Sequence, residues 1–232
     1  MSKKIALVLL IGLLLLGLGL RRVVNSSQGD KRCDQASNIA ELARKCRSQG
    51  KSRVVIPGPI VDYGGANSSF EEMASRSSAV IAEPIASKSD LYNPYSIGTW
   101  YKFRIIEPLL LRPPQHCDSC PPKSVPPQEL SSLLSNELLL GVDGGSLSVE
   151  GVEITQISGC IPPFEKGEKY LLFVSFLPGG IARLAAGPSG IFKLTDQDSL
   201  KGVDPTTKRK AYDEVKNRFG NKLSLLRSHI DQ

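Results

Sequence analysis

Gly167-Glu168-Lys169-Tyr170-Leu171-Leu172-Phe173-Val174-Ser175-Phe176 is the stretch on which the fold turns. Pro162-Pro163-Phe164 lies before it and Pro178-Gly179-Gly180 after it. A turn ends, a strand rich in aromatic and aliphatic residues runs, and another turn follows. Tyr170, Leu172, Val174 and Phe176 alternate with Leu171 and Phe173, so both faces are apolar. Such a strand is buried on both sides, and other parts of the chain must cover each face.

The neighbouring segments supply further strands. Thr99 to Glu107 alternates, with Tyr101, Phe103 and Ile105 on one side. Lys102 and Arg104, flanked by Trp100 and Ile106, lie on the other, and the basic residues suit a solvent face. Ser78 to Ala86 reads as a strand with Val80 and Ala82 opposed to Ala79 and Ile81; Pro84 predicts an edge or a bend. Lys88 to Gly98 between them reads as a polar turn region. Glu137–Val142 and Ser146–Ile157 read as strands around an Asp143-Gly144-Gly145 turn, and a phase slip at Glu150-Gly151 predicts a bulge or tight turn. Ile181–Ala186 and Ile191–Leu194 add two short strands.

Helices flank this β-rich stretch. After Asp34 or Ser37 as N-cap, Ile39, Leu42, Ala43 and Cys46 make one apolar face, and Gly50 ends the helix. A helix continuous from Cys33 to Cys46 would hold them roughly 18–20 Å apart, too far for a disulfide. Arg53–Ile56 reads as a short strand, and Asn67 to Ser69 cap a helix over Phe70–Ser75. Residues 108–128 hold seven prolines and read as an irregular insertion, with one or two helical turns over Gln128–Asn136. Asp204-Pro205 predicts the start of a long last helix, weakened near Gly220. Its apolar stripe is Ala211, Val215, Phe219, Leu223, Leu226 and Ile230. That stripe suits the uncovered face of the 167–176 strand; its basic outer side also fits a membrane-surface helix.

The chain begins with a targeting signature. Lys3-Lys4 precedes sixteen apolar or glycine residues, Ile5 to Leu20, and Arg21-Arg22 follow. The run falls between the length of a cleaved signal peptide and that of a transmembrane helix, and both readings stay open. Either one places the body outside the cytoplasm: membrane-anchored, or periplasmic or secreted after cleavage. Of the formal charge of +6, these four basic residues carry four, leaving +2 for the remainder. That balance argues against a nucleic-acid surface. A hydrophobic content of 41% is too high for a disordered chain and too low for a multi-span membrane protein.

Five cysteines, Cys33, Cys46, Cys117, Cys120 and Cys160, suit an oxidising compartment. His116-Cys117-Asp118-Ser119-Cys120-Pro121-Pro122 is the sharpest local motif. Its readings are a disulfide between Cys117 and Cys120 that pins the loop, a thiol-redox pair, or a zinc site with His116 and Cys160. The disulfide is the assignment adopted; no metal site, cofactor or catalytic residue is assigned. His116 and His229 are the only histidines, too few and too poorly placed for a nucleophile–base triad. Gly144-Gly145 and Gly179-Gly180 are turn glycines without a phosphate-loop pattern. Tyr92, Tyr95 and Trp100, clustered around Asn93-Pro94, form a candidate binding surface for a glycan or protein; equally, aromatics there anchor the loop.

The succession of Ser78-Ala79-Val80-Ile81-Ala82, Trp100 to Glu107, a Gly-Gly turn, Pro162-Pro163-Phe164 and Gly167 to Phe173 resembles a group of exported bacterial proteins of unknown function. Their OB-like barrel is similar to the netrin-module and tissue-inhibitor-of-metalloproteinase fold. The resemblance covers roughly residues 70–194. In the inhibitors a cysteine at the mature N-terminus contacts the target's metal; Cys33 lies too far inside this chain for that role, so only the fold carries over.

The expected fold class is mainly β with flanking helices (α+β). A small OB-like β-barrel is packed by a C-terminal amphipathic helix, and the N-terminal hydrophobic helix lies outside the domain. The expected division is a signal peptide or anchor at 1–24, a tether at 25–33, the barrel domain at 34–203 and the helix at 204–232. The expected role is a non-catalytic cell-envelope binding module for an envelope or extracellular protein or a glycan, with single-pass membrane association and no nucleic-acid partner. The alternative is a thiol-redox or metal-binding envelope protein.

Overall fold

The computed structural model describes residues 36–58, 68–113, 125–158, 161–196, 198–204 and 209–230. The 1–24 run, Cys33, His116, Cys117, Cys120 and Cys160 fall outside them. No helix among the described residues is long and apolar enough to cross a membrane.

The fold is mainly β with several helices. Strand β7 (Lys169–Phe176) has Tyr170 through Val174 all buried. Two long strands, β2 (Ser78–Asn93) and β3 (Ser96–Leu110), form a hairpin. With β4 (Glu137–Asp143), β8 (Ile181–Leu184), β9 (Ile191–Leu194) and β10 (Leu200–Gly202) they make a seven-stranded sheet in the order β10-β9-β7-β2-β3-β4-β8. β8 also pairs with the far half of β7, at Val174 to Phe176, so the sheet turns back on itself and is partly ring-like. β9 takes the near half, Lys169 to Leu172, so β7 divides one edge between two partners. All these ladders are antiparallel except β4 with β8.

The two faces of β7 find separate covers. Tyr170, Leu172 and Val174 join Val80, Phe103, Leu138 and Leu140 in a core on the inner side of the ring. Leu171 and Phe173 join Ala79, Ile81 and Phe192 in an outer core. That core is closed by α2 (Phe70–Arg76), α4 (Lys210–Phe219) and α5 (Leu223–Ile230) through Phe70, Val215, Phe219 and Leu226. The C-terminal stripe therefore packs on the sheet, as its spacing predicts.

It does so as two helices. Gly220 adopts φ +56° and Asn221 φ +57°, a left-handed break in which the Gly220 N–H still reaches the Lys216 carbonyl at 2.9 Å. The first described helix of the pair starts at Lys210, and Arg209, immediately before it, pairs with the Asp204 carboxylate; Pro205, the predicted start, lies outside the described residues. α2 runs one residue past its predicted range and opens on a reciprocal Ser69–Glu72 capping box.

A smaller sheet holds β1 (Arg53–Pro57), β6 (Val152–Ile157) and β5 (Gly145–Val149), in that order, with β1 parallel to β6. Helix α1 (Ile39–Ser48) covers it. Asn38, next to the predicted Ser37, caps α1, accepting from the Glu41 N–H at 2.8 Å; Asp34 lies outside the described residues. Because the helix begins at Ile39, the helical spacing argued between Cys33 and Cys46 does not apply. Cys46 is fully buried against the small sheet. Glu150 (φ +49°) and Gly151 (φ +80°) form the predicted tight turn between β5 and β6.

One expectation is corrected by packing. Lys88–Gly98 is mostly strand: pairing runs to Asn93↔Ser96, leaving Pro94-Tyr95 as the turn. The Asn93 side chain accepts from the Tyr95 N–H at 2.8 Å, and the Pro94 carbonyl accepts from Ile39 at the start of α1 at 2.8 Å. A docked tip and a continuous ladder overrule the polar composition. Pro84 meets its expectation of an edge or a bend: the β7 ladder ends at Ala82↔Tyr170, so that side of Pro84 needs no N–H, and the pairing with β3 shifts register between Pro84 and Ala86.

Candidate functional site

Asp143-Gly144-Gly145 does not close a hairpin. β4 belongs to the large sheet and β5 to the small one, and the chain changes sheets at Gly144. The crossing is tight. The Gly144 N–H donates to the Ile97 carbonyl at 2.8 Å, and its own carbonyl accepts from Thr99 Oγ1 at 2.7 Å. A Cβ on Gly145 would stand 2.1 Å from Thr99 Oγ1, and one on Gly144 2.7 Å from the Ser158 nitrogen. Both glycines have positive φ, +93° and +137°. Space and conformation together require glycine here.

The crossing leaves a cleft of about 460 Å³ between the end of the ring and the small sheet. Tyr101, Val142 and Ile161, which belong to the inner core, form its floor. Ser146, Thr155 and Ile157 come from the small sheet; Pro162, Pro163 and Val203 come from connecting segments. Clefts of this size at the mouth of a closed or nearly closed sheet are common ligand sites.

Much of its polar lining is engaged in holding the fold. Thr99 gives its proton to Gly144, so in the 2.9 Å contact with Ser89 the Ser89 hydroxyl donates. Gln156 Oε1 accepts from the buried Ile97 N–H at 2.5 Å, tying the small sheet to β3. Ser146 and Thr155 bond one another at 2.8 Å across β5 and β6. Asp204 at the rim pairs with Arg209 at 3.0 Å, both nearly buried. Burial pushes the Tyr101 hydroxyl above its ordinary range, so it is a neutral group at physiological pH.

Of the predicted aromatic surface, Tyr92 and Trp100 stay in contact, with ring centroids 6.2 Å apart, while Tyr95 turns away from them. Trp100 is 3% exposed, packed with Leu139 and with Leu130 of α3 (Gln128–Ser131). It does leave the sheet on the outer side, but α3 covers it. Lys102 on the same face is pinned rather than solvated, with Nζ 2.9 Å from Glu137 and 2.7 Å from the Ser132 carbonyl. Tyr92 lies flat over two glycines: a Cβ on Gly98 would meet its ring at 2.0 Å, and one on Gly141 its hydroxyl at 2.7 Å. Only Tyr95, 69% exposed at the hairpin tip, faces solvent. Two of the three aromatics therefore anchor the hairpin. His229 is likewise structural, with Nε2 3.0 Å from Glu71 and its ring beside Phe70 and Phe219.

Sequence reading passed over the cleft because its residues come from five separate segments. The only local sign was Asp143-Gly144-Gly145, which reads equally well as a hairpin turn. Compared with known proteins, the chain matches no family model, no curated protein and no solved structure.

Proposed function

We propose that the protein is a non-catalytic binding module of the cell envelope, built on an OB-like barrel and held at the membrane by its N-terminal apolar run. The barrel reading is supported by the pairing order. β2, β3 and β4 form a meander, β8 joins β4 in parallel, and β7 lies antiparallel to both β8 and β2. A five-stranded, partly open barrel of Greek-key type has this kind of connectivity.

The observation that carries the binding reading is the cleft at the end of that ring. Its floor is apolar, and several of its polar groups are spent on internal bonds, an arrangement suited to holding a ligand and not to moving protons. The ligand class is an envelope or extracellular protein or a glycan.

The test compares binding by the full-length chain with two variants. Ser146→Trp fills the mouth of the cleft, and Ser148→Trp places the same bulk two residues along the strand, outside it. A glycan array and crosslinking in envelope extract should each be read for a signal lost in the first variant and kept in the second. Equal binding by all three proteins would remove the cleft from the proposal.

A further inference from the structure

The part of the sequence that follows the N-terminal run is basic. Residues 31–53 hold seven lysines and arginines against Asp34 and Glu41. Within the described part of that segment, Arg44, Lys45 and Arg47 occupy the last turns of α1, and Lys51 and Arg53 follow at its exit. Arg44 and Arg53 are about two-thirds exposed. Their pairs with Glu150 and Glu153 are long, at 3.7 and 3.6 Å. Arg47 donates to a carbonyl oxygen, that of Glu150, at 3.3 Å, and has no ion pair among the described residues. Loose, exposed guanidinium groups of this kind can exchange a carboxylate for a phosphate at little cost.

The length of chain before the domain says what these groups meet. Fifteen residues, 21–35, separate Leu20, the end of the apolar run, from Ala36. Even fully extended they reach only about 50 Å. A bilayer holding the run keeps α1 within one domain width of lipid headgroups at high effective concentration.

We infer that the exit of α1, with Arg44, Arg47 and Arg53, is a docking surface for anionic phospholipid headgroups, which orients the domain on the membrane that anchors it. The inference rests on the tethered reading above. Docking leaves the cleft's own residues out of the contact, since none of the three arginines lines it.

The experiment uses the full chain reconstituted into nanodiscs of phosphatidylcholine alone or doped with phosphatidylglycerol. Arginine-selective modification at Arg44, Arg47 and Arg53 is read by mass spectrometry, with exposed Arg104 as internal reference. Expected is a drop of about fivefold at the three arginines in the anionic discs only, reversed by high salt. Equal modification in both discs, with the protein retained in them, overturns the docking surface and leaves the tether standing. Protection by soluble polyglutamate but not by the anionic discs assigns the patch to an acidic protein and also overturns it. A chain that stays in neither disc overturns the tether and this inference together.

Discussion

Tyr212 shows how much one hydroxyl can hold. Its ring lies on Gly202, where a Cβ would stand 2.5 Å away, and its hydroxyl donates its one proton to the Pro188 carbonyl at 2.5 Å, with the Ile191 carbonyl at 3.3 Å as a weaker sharer. Burial pushes its pKa from the ordinary 10 up to about 12. The unfolded chain therefore releases this proton first. Below pH 10 the titration of Tyr212 adds no pH dependence, and stability falls as pH rises from 10 to about 12, by as much as roughly 2–3 kcal/mol. Tyr212→Phe should remove that alkaline slope and cost about 1 kcal/mol at neutral pH, both measurable by urea unfolding across pH. Gly98→Val places a side chain inside the Tyr92 ring and should lower stability by about 2–4 kcal/mol, whereas Tyr95→Ala at the exposed tip should be nearly neutral. For Cys117 and Cys120, outside the described residues, the disulfide reading predicts that both alkylate only after reduction. Free alkylation without reductant, or zinc in the purified protein, would favour the thiol or metal alternative.

At the scale of elements, β7 is the strand whose two covers give the large sheet its inner and outer cores. Phe173 points outward, meeting Phe70 edge-on at 5.7 Å and packing in the core that α4 and α5 close. Phe173→Ala should cost about 3–5 kcal/mol by leaving a cavity under the helices. Leu225, exposed on the far side of α5, should tolerate alanine. The break at Gly220 is a stop built into the backbone. Gly220→Ala keeps the space but strains the left-handed turn, at a cost of about 1 kcal/mol in thermal or urea unfolding. This break was half visible in sequence, since Gly220 interrupts an otherwise continuous stripe. The covering of Trp100 by α3 was not, because Leu130 lies thirty residues away and on the far side of the proline-rich segment.

At the scale of the whole molecule, the β2–β3 hairpin joins two cores that share little else. Its near half lines the ring with Val80, Ala82, Tyr101 and Phe103, and its far half carries Ile97 into the core of α1 and the small sheet. The Gln156 bond to Ile97 and the Gly144 crossing reinforce that seam. The two parts should therefore unfold in one transition, with amide exchange in Val152–Ile157 and Tyr170–Val174 reporting the same opening free energy. Ile97→Ala should uncouple them, so that the small sheet exchanges first. The physical division between what was legible and what was not follows range. Alternation, helical stripes, capping residues and turn glycines are written in neighbouring residues, so the strands, the buried character of β7 and the packing role of the last helix could be read from sequence alone. The ring closure through β8, the passage of Gly144 from one sheet to the other, and the cleft depend on contacts between residues tens of positions apart. Loop geometry and mutual burial decide those contacts, and no local pattern encodes them.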